Sequence, residues 1–255
     1  YNDPSNGGFE YVDYVEQETG PGLVLIEGGT FSMGRIEQDV VYDWNNTPRR
    51  VTVSSFYMDE TEITNDEYRQ FVFWVRDSIA MRILGDLRPD EFLLQQNDKT
   101  GEIYDPPFVN WDSEIEWNSD EQDVRDALEE MYIPEHERYF RRKEIDARKL
   151  FYEFYWVDLH AAAKKDYTEE ANPENAAFQN RPQGLRDRSV YVRKEMINVY
   201  PDTLSWIHDY TYSFNDPLTE KYFWHPAYNY YPVVGVNWKQ ARVFCVWRTE
   251  FMNAF

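Results

Sequence analysis

Two segments far apart in the chain, residues 22–64 and 231–248, each predict β structure that leads directly into a capped helix. Within the first segment the predicted strands are Leu23–Ile26, Thr30–Met33 and Val51–Met58, the last of which is rich in β-branched and aromatic residues. Together these patterns predict an α+β chain. No period of about 20–50 residues repeats, so the sequence does not predict a solenoid.

The first helix is marked by its N-terminus. Thr64 can accept a hydrogen bond from the Glu67 amide while the Glu67 carboxylate reaches back to the Thr64 amide, which is the capping-box arrangement. Behind it an apolar stripe has helical spacing and consists of Tyr68, Phe71, Val72, Val75 and Ile79. The pattern predicts a helix that continues to about Leu84, with Gly85 as its C-terminal stop.

The second segment repeats this design. Tyr222–Pro232 predicts an aromatic–proline loop of fixed shape, because two prolines restrict φ and aromatic rings fill the gaps. Val233–Val236 is a candidate buried strand, and Asn237–Gln240 resembles a second capping box. The following helix is expected to run to the end of the chain, with an inward face formed by Ala241, Phe244, Cys245 and Met252.

Residues 86–188 depart from this pattern and predict a largely helical insertion. Its run Asp112–Glu137 holds eleven acidic residues and one base. Helices are expected over Asp120–Met131, through Val124 and Leu128, and over Glu144–Ala163. The inward positions expected in the second of these are Ile145, Leu150, Phe154 and Val157.

The domain organisation follows from these elements. Thr168–Arg188 predicts a connection rich in Pro, Asn and Gln, and Ser189–Val199 predicts a strand. We expect an N-terminal arm over residues 1–21 and a single domain over residues 22–255 that contains the insertion.

The formal net charge of −21 restricts the partners. Nucleic acid is excluded as a partner class, because its phosphates require a basic surface, and electrostatic docking to anionic lipid is disfavoured for the same reason. A basic protein partner or a cation such as Ca²⁺ fits the charge, and so does a role in solubility alone. The chain starts YNDPSNGG, without Met or a signal peptide, and holds no apolar run long enough for a membrane span. This start favours a processed or cut chain over a cytoplasmic one.

The familiar catalytic motifs are incomplete. His136-Glu137 begins like a zinc-protease motif, but Phe140 occupies the position of the second His. His225 is interpreted as a packed loop histidine rather than a base. The glycines Gly28, Gly29 and Gly34 predict a turn and a close packing contact, because they do not form a phosphate-binding pattern.

The remaining reactive side chains have structural interpretations. Asp59, Glu60 and Glu62 are expected to serve hydrogen bonding at a strand end. Cys245 is the sole cysteine, and as a buried helical side chain it is expected to behave as a small apolar group. The sequence therefore predicts no catalytic, cofactor-binding or metal-binding residue.

Three ordered blocks carry a family resemblance. LVLIEGGTFSMG (Leu23–Gly34), VTVSSFYMDETEITNDEYRQF (Val51–Phe71) and YPVVGVNWKQARVFCVW (Tyr231–Trp247) resemble the successive signature blocks of the formylglycine-generating-enzyme, or sulfatase-modifying-factor, superfamily. The resemblance implies an irregular α+β fold of C-type-lectin-like form. The superfamily continues with a C-terminal half that holds its catalytic cysteines and most calcium ligands, so the resemblance implies a C-terminally truncated fragment to which no catalytic residue can be assigned.

Within this superfamily the chain looks most like the gliding-motility and type IX secretion lipoproteins of the GldK/PorK and GldJ type. That resemblance implies a non-enzymatic scaffold in the periplasm, anchored to the outer membrane by a lipid outside this chain. It further implies a homo-oligomeric ring, a partner of the GldN/PorN type and no cofactor. The alternatives are a metal-dependent oxidase of the superfamily and a glycan- or peptidoglycan-binding module.

Overall fold

A computed structural model describes residues 19–34, 46–96, 101, 103–163, 191–209, 212 and 221–253. The connection expected at Thr168–Arg188 and most of the N-terminal arm lie outside these residues. The chain divides into two compact units, residues 1–63 and residues 64–255. In the described part of the chain no helix is both long enough and apolar enough to cross a membrane.

The first unit contains two small antiparallel sheets. Strand β1 (Leu23–Ile26) pairs with β4 (Phe56–Asp59), and β2 (Gly29–Met33) pairs with β3 (Arg49–Val53). The first two predicted strands are confirmed. The single strand expected at Val51–Met58 is wrong, because this segment is shared between β3 and β4, which pair with two different strands.

Two glycines of the first unit lie close to a neighbouring backbone, Gly28 at the break between β3 and β4 and Gly34 beside the start of β3. The Gly28 amide donates to Ser55 Oγ at 3.0 Å. A Cβ atom on Gly28 would lie 2.7 Å from the Ser55 amide nitrogen, and one on Gly34 would lie 2.9 Å from the Thr47 carbonyl oxygen. The expected close packing at these glycines is thus confirmed.

The second unit is organised around helix α1 (Asn65–Leu87). Its capping box is confirmed: the Thr64 amide donates to Glu67 Oε2 at 2.8 Å, and the Glu67 amide donates to Thr64 Oγ1 at 3.3 Å. The predicted stripe is buried, apart from a half-buried residue at its end.

The stop predicted at Gly85 is wrong. Helix α1 continues to Leu87 and ends where Pro89 disfavours helical geometry in the preceding residue. Gly85 instead makes room for a neighbour, since its Cβ atom would lie 2.5 Å from Leu93 Cγ.

Short helices, small sheets and one long helix complete the second unit. The further helices are α2 (Pro89–Phe92), α3 (Gln122–Glu129), α4 (Leu159–Ala163), α5 (Ser205–Asp209) and α6 (Trp238–Asn253). The further strands form two antiparallel pairs, β5 (Leu93–Gln96) with β6 (Ile103–Val109) and β7 (Phe151–Val157) with β8 (Val192–Asn198). Single 3-10 turns occupy Glu135–Glu137, Tyr139–Arg141, Ala147–Lys149 and Pro226–Tyr228. The described chain is therefore α+β, as predicted.

The helix predicted at Glu144–Ala163 is wrong. The centre of this segment forms β7, in which Tyr152 and Phe154 are buried and the residues that alternate with them are exposed or half-buried, with Val157 exposed. Aromatic residues at alternate positions suit a half-buried strand, and pairing with β8 determines the outcome. The strand expected at Ser189–Val199 is confirmed in its described part, and the helix expected at Asp120–Met131 is confirmed as α3. The described insertion is consequently mixed rather than largely helical.

Helix α1 contributes to two clusters of buried side chains. Its N-terminal half packs into an aromatic cluster, in which Phe71 lies 5.0 Å from the Trp247 ring and Tyr68 lies 5.6 Å from the Phe244 ring. Its C-terminal half packs into an aliphatic cluster with residues of the insertion. The buried members of this second cluster are Ala80, Met81, Leu84, Phe92, Val124, Leu128 and Met131.

Helix α6 faces the aromatic cluster with a side that is rotated from the predicted one, and the predicted burial of Phe244 is confirmed. Its buried residues are Gln240, Val243, Phe244 and Trp247, at the spacing i, i+3, i+4 and i+7. Ala241 and Cys245 are exposed, so their predicted burial is wrong, and Met252 is half-buried. The strand expected at Val233–Val236 is absent from this described segment, where the chain turns through Gly235 at a φ of 82°.

Candidate interaction surface

The aromatic–proline loop, residues 222–232, is held by the first turn of α1. The fully buried Asn65 side chain donates from Nδ2 to the Tyr228 carbonyl oxygen at 2.9 Å and to the Tyr222 carbonyl oxygen at 3.4 Å. The Asn65 amide donates to the Tyr231 carbonyl oxygen at 2.9 Å. The side chain and the backbone amide of this one residue thus bind three carbonyl groups of the loop.

Arg69 strengthens this attachment one turn later. Its side chain is 8% exposed, and Nη1 donates to the Phe223 carbonyl oxygen at 2.8 Å. Nη2 donates to Asp66 Oδ1 at 3.1 Å and to Asn229 Oδ1. Because a buried guanidinium needs acceptors for its donors, these contacts fix the loop at a defined position against α1.

The start of α6 is bound to the segment that follows β8. Asn237 and Gln240 exchange two hydrogen bonds of 2.9 Å each, which confirms the predicted capping arrangement. Gln240 Nε2 also donates to the Asn198 and Tyr200 carbonyl oxygens at 3.0 and 2.8 Å. Beside it, a Cβ atom on Gly235 would lie 2.1 Å from the Asp202 carbonyl oxygen. Only glycine fits this approach.

The buried tyrosines of this region act as hydrogen-bond donors. Tyr68 donates to the Val199 carbonyl oxygen at 2.8 Å, and Tyr222 donates to the Pro232 carbonyl oxygen at 2.7 Å. Burial raises the pKa of Tyr68 and of Tyr222 above the usual tyrosine value. Both phenols therefore stay protonated at neutral pH, and the region is suited to holding structure rather than to acid–base chemistry.

The loop presents aromatic side chains to solvent. Tyr230 is 88% exposed, Tyr231 is 52% exposed and Trp224 is 40% exposed. The Trp224 ring lies 5.7 Å from the Phe73 ring, and its indole nitrogen donates to Tyr200 Oη. Large aromatic side chains on a rigid backbone are typical of binding hot spots, because little conformational entropy is lost when a partner covers them. We call Trp224, Tyr230 and Tyr231 the loop surface.

The residues considered for chemistry are dispersed in structural roles. His225 is exposed rather than packed, which corrects the prediction, and its Nδ1 accepts from the Ala227 amide at 3.2 Å to cap a 3-10 turn. Asp59 ends β4, and the Glu60 amide donates to the Gly22 carbonyl oxygen at 3.0 Å. No group of three or more His, Cys, Asp or Glu side chains within the described ranges is arranged to hold a metal ion.

The acidic run is partly neutralised by bases outside it. Arg138 and Lys143 pair with Glu129, and Arg148 pairs with Glu137 at 2.7 Å. These contacts hold the pKa of Glu129 below its usual value, mainly through the hydrogen bond from Lys143. The negative surface is therefore smaller than the sequence count indicates.

Sequence reasoning missed Asn65 and Arg69. Both lie on the same helical face as Tyr68 and Val72, so the available signal was two polar residues within an apolar stripe. Their acceptors lie about 160 residues later in the chain, as in the Arg69–Asn229 contact with its separation of 160 residues. Helical spacing alone could not identify them.

Comparison with known proteins identifies the family of this fold. The sulfatase-modifying factor enzyme 1-like domain family matches residues 8–252. The formylglycine-generating enzyme of Mus musculus is 40% identical over 50 residues, which are 20% of this chain and 13% of the mouse protein. No solved structure gives a significant match.

Proposed function

The chain belongs to the family of the sulfatase-modifying factor enzyme 1-like domain, and from this premise we propose that it is a non-enzymatic structural component of the type IX secretion and gliding-motility machinery. In this proposal the protein works by assembly. The parent protein is a periplasmic lipoprotein at the outer membrane, and copies of it form a ring with a partner of the GldN/PorN type.

The observation that carries this proposal is the way in which the loop surface is built. Asn65 and Arg69 are polar residues buried inside the fold, and their side chains donate hydrogen bonds to one loop. In the described part of the chain they do not line a substrate-sized cavity. The outcome is a rigid backbone that exposes Trp224, Tyr230 and Tyr231. Such a surface favours contact with another protein. The net charge of −21 favours a partner that is basic.

Binding to a purified partner of the GldN/PorN type tests the proposal. We expect Tyr230→Ala and Tyr231→Ala to weaken binding by about tenfold or more, because each removes an exposed aromatic anchor. Tyr212→Ala is the matched control, since Tyr212 is fully exposed but lies outside the loop surface. If all three variants bound the partner with the same affinity as the unsubstituted chain, assembly through this loop would lose its support.

The enzymatic alternative has two observations in its favour. The chain is similar to a formylglycine-generating enzyme over 50 residues, and its sole cysteine, Cys245, is exposed. An oxidase assay on a sulfatase-derived peptide, with and without added copper, separates the two functions. The structural proposal expects no turnover, whereas turnover that disappears in Cys245→Ser would establish the enzyme.

A further inference from the structure

The insertion presents aromatic and basic side chains together to solvent. Tyr139 is 77% exposed and Phe140 is 80% exposed, and their ring centroids lie 4.4 Å apart. Arg141 and Arg142 follow directly, and both are exposed. Among the described residues neither guanidinium group has a hydrogen-bond or ion-pair partner. We call Tyr139, Phe140, Arg141 and Arg142 the basic tip.

The basic tip is fixed to the core at its base. The Asp146 amide donates to the Met131 carbonyl oxygen at 2.9 Å, and Met131 is part of the aliphatic cluster. Between these two residues the chain reverses through Phe140 at a φ of 47° and Arg141 at a φ of 57°. Bulky residues keep such a conformation only where the surrounding structure over-determines it. The tip therefore has a defined position relative to α3.

Acidic side chains on α3 lead up to the tip. Asp123, Asp126 and Glu129 follow one another at i, i+3 and i+6, so they lie along one face of the helix. Glu129, at the end of this series, is paired with Arg138 and Lys143, which flank the basic tip on either side. Asp123 and Asp126 are exposed. We call these two aspartates the acidic row.

The acidic row keeps its charge uncompensated. Arg125 is the single base of α3, and it donates to Gln122 Oε1 at 3.0 Å and to the Asp120 carbonyl oxygen at 3.2 Å. Asp126 Oδ1 accepts from Gln122 Nε2 at 2.7 Å, which is a neutral donor. Within the described ranges neither aspartate of the row forms an ion pair.

The basic tip and the acidic row thus carry opposite charges on one part of the insertion, yet they do not neutralise each other within the chain. A surface of this kind is complementary to a copy of itself turned through 180°, because each tip then meets the row of the other copy. Copies that each carry a charge of −21 repel one another over most of their surface, so their contact is favoured where bases are available. Exposed tyrosine and arginine side chains are also enriched among the residues that contribute most to protein interfaces.

An anionic membrane fits the basic tip less well. Aromatic and arginine side chains can bind at a lipid surface. However, the exposed carboxylates of Glu135 and Glu137 precede the tip, and that of Glu144 follows it. Together with the acidic row these groups repel anionic headgroups, whereas a protein surface can match a pattern of both charges.

We propose that two copies of this chain associate through the insertion, with the basic tip of each copy bound to the acidic row of the other. Arg141 and Arg142 donate to the aspartate carboxylates, and Tyr139 and Phe140 cover the helix beside them. Such a contact closes after two copies, so it differs from the head-to-tail contact that builds a ring. It is separate from the loop surface and does not depend on the assembly function proposed above.

Analytical ultracentrifugation of the full chain over a range of concentrations tests the pairing. We expect a monomer–dimer equilibrium whose dissociation constant rises as salt is raised to about 0.5 M, and rises about tenfold or more in Tyr139→Ala. The control Tyr212→Ala changes a fully exposed tyrosine outside the insertion and should leave the equilibrium unaltered. A chain that stays monomeric at every concentration overturns the proposal, and so does a monomer that binds vesicles of anionic phospholipid through the tip.

Charge reversal assigns the two halves of the contact. One double variant carries Arg141→Glu and Arg142→Glu, and the other carries Asp123→Lys and Asp126→Lys. Each alone should be monomeric, because like charges then meet in both contacts, whereas an equimolar mixture should form dimers again, because opposite charges meet. The four side chains are exposed, so circular dichroism should show an unchanged fold, and Arg193→Glu, at an exposed base of β8, should dimerise like the unsubstituted chain. Unchanged dimerisation of either double variant, or no dimer in the mixture, contradicts the assignment.

Discussion

Replacement of Arg69 by methionine tests whether buried polar contacts hold the aromatic–proline loop. Methionine can occupy much of the space of the arginine stem, but it donates no hydrogen bond. The Phe223 carbonyl oxygen, bound at 2.8 Å in the native chain, would then be buried without a donor. An unsatisfied buried acceptor costs about 1–3 kcal/mol.

The two remaining contacts raise the expected cost. Asp66 Oδ1 and Asn229 Oδ1 would also lose the guanidinium, but both residues are only partly buried and can bind water instead. With about 0.5–1 kcal/mol for each of them, the free energy of unfolding should fall by about 2–5 kcal/mol in total. Arg69→Lys should lie between, because a single ammonium cannot reach all three acceptors at once.

Two measurements check this prediction. Urea unfolding followed by tryptophan fluorescence gives the global free energy. Hydrogen exchange of the loop amides, residues 223–231, gives the local opening free energy, and it is the sharper measurement in a chain of two compact units. The control is Arg125→Met, because Arg125 is exposed and its hydrogen bonds to Asp120 and Gln122 lie at the surface.

The control should change stability by less than about 0.5 kcal/mol and leave loop exchange unaltered. If Arg69→Met gave the same stability and the same loop exchange as Arg125→Met, the buried guanidinium would not be what holds the loop. The argument for a pre-organised loop surface would then lose its physical basis.

Three further predictions follow from local geometry. Thr64→Ala should lower the free energy of unfolding by about 1 kcal/mol through loss of the helix cap, and an unchanged urea midpoint would contradict the capping box. Gly235→Ala should lower the free energy of unfolding by more than the roughly 1–2 kcal/mol of positive-φ strain alone, because its Cβ atom would lie 2.1 Å from a backbone oxygen. The control is Gly101→Ala, since Gly101 has a similar φ of +70° and nothing within 4 Å of the added Cβ atom. Similar changes in melting temperature in the two variants would refute the steric reasoning. The hydrogen bond from the Arg148 guanidinium lowers the pKa of Asp146 below its usual value in the folded chain. As the pH falls, the Asp146 carboxylate is therefore protonated in the unfolded chain before it is protonated in the folded chain, and the folded state loses stability. This stabilisation is complete above about pH 4 and is lost as the pH falls through the lower folded-state pKa, so Asp146→Asn should weaken the dependence of stability on pH in that range.

Local signals in the sequence predicted local structure. The capping box at Thr64 and the stripe behind it involve contacts within a few residues, and α1 forms as expected. The α6 start at Asn237 is confirmed for the same reason. In each case the side chain that stabilises the helix end lies three residues from its partner.

Predictions failed where a distant segment decides the outcome. The run that became β7 has helical spacing as well as strand alternation, and only its pairing with β8 decides between them. The rotation of the buried face of α6, which leaves Cys245 exposed, depends on the position of Phe71 and Tyr152 in the aromatic cluster. The loop surface was partly foreseen from its aromatic and proline content, but the contacts that hold it were not, because they join residues about 160 positions apart.

The aliphatic cluster on α1 limits how the role of the insertion in the proposed assembly can be tested. Val124, Leu128 and Met131 belong to the insertion, yet they are buried with Ala80 and Leu84 of α1. Deletion of residues 112–137 would remove these three core side chains, and truncation of each one costs about 2–5 kcal/mol. Such a deletion would therefore unfold part of the core instead of isolating the effect of charge.

The exposed acids of α3 offer a cleaner separation. Asp123 lies on the outer side of the helix, next to the buried Val124, so its charge can be removed while the aliphatic cluster stays intact. Glu129 and Glu137 are unsuitable, since each holds an ion pair within the insertion. The acidic surface is thus carried by a segment that the core itself requires, and any partner that it attracts meets a charge pattern fixed relative to α1.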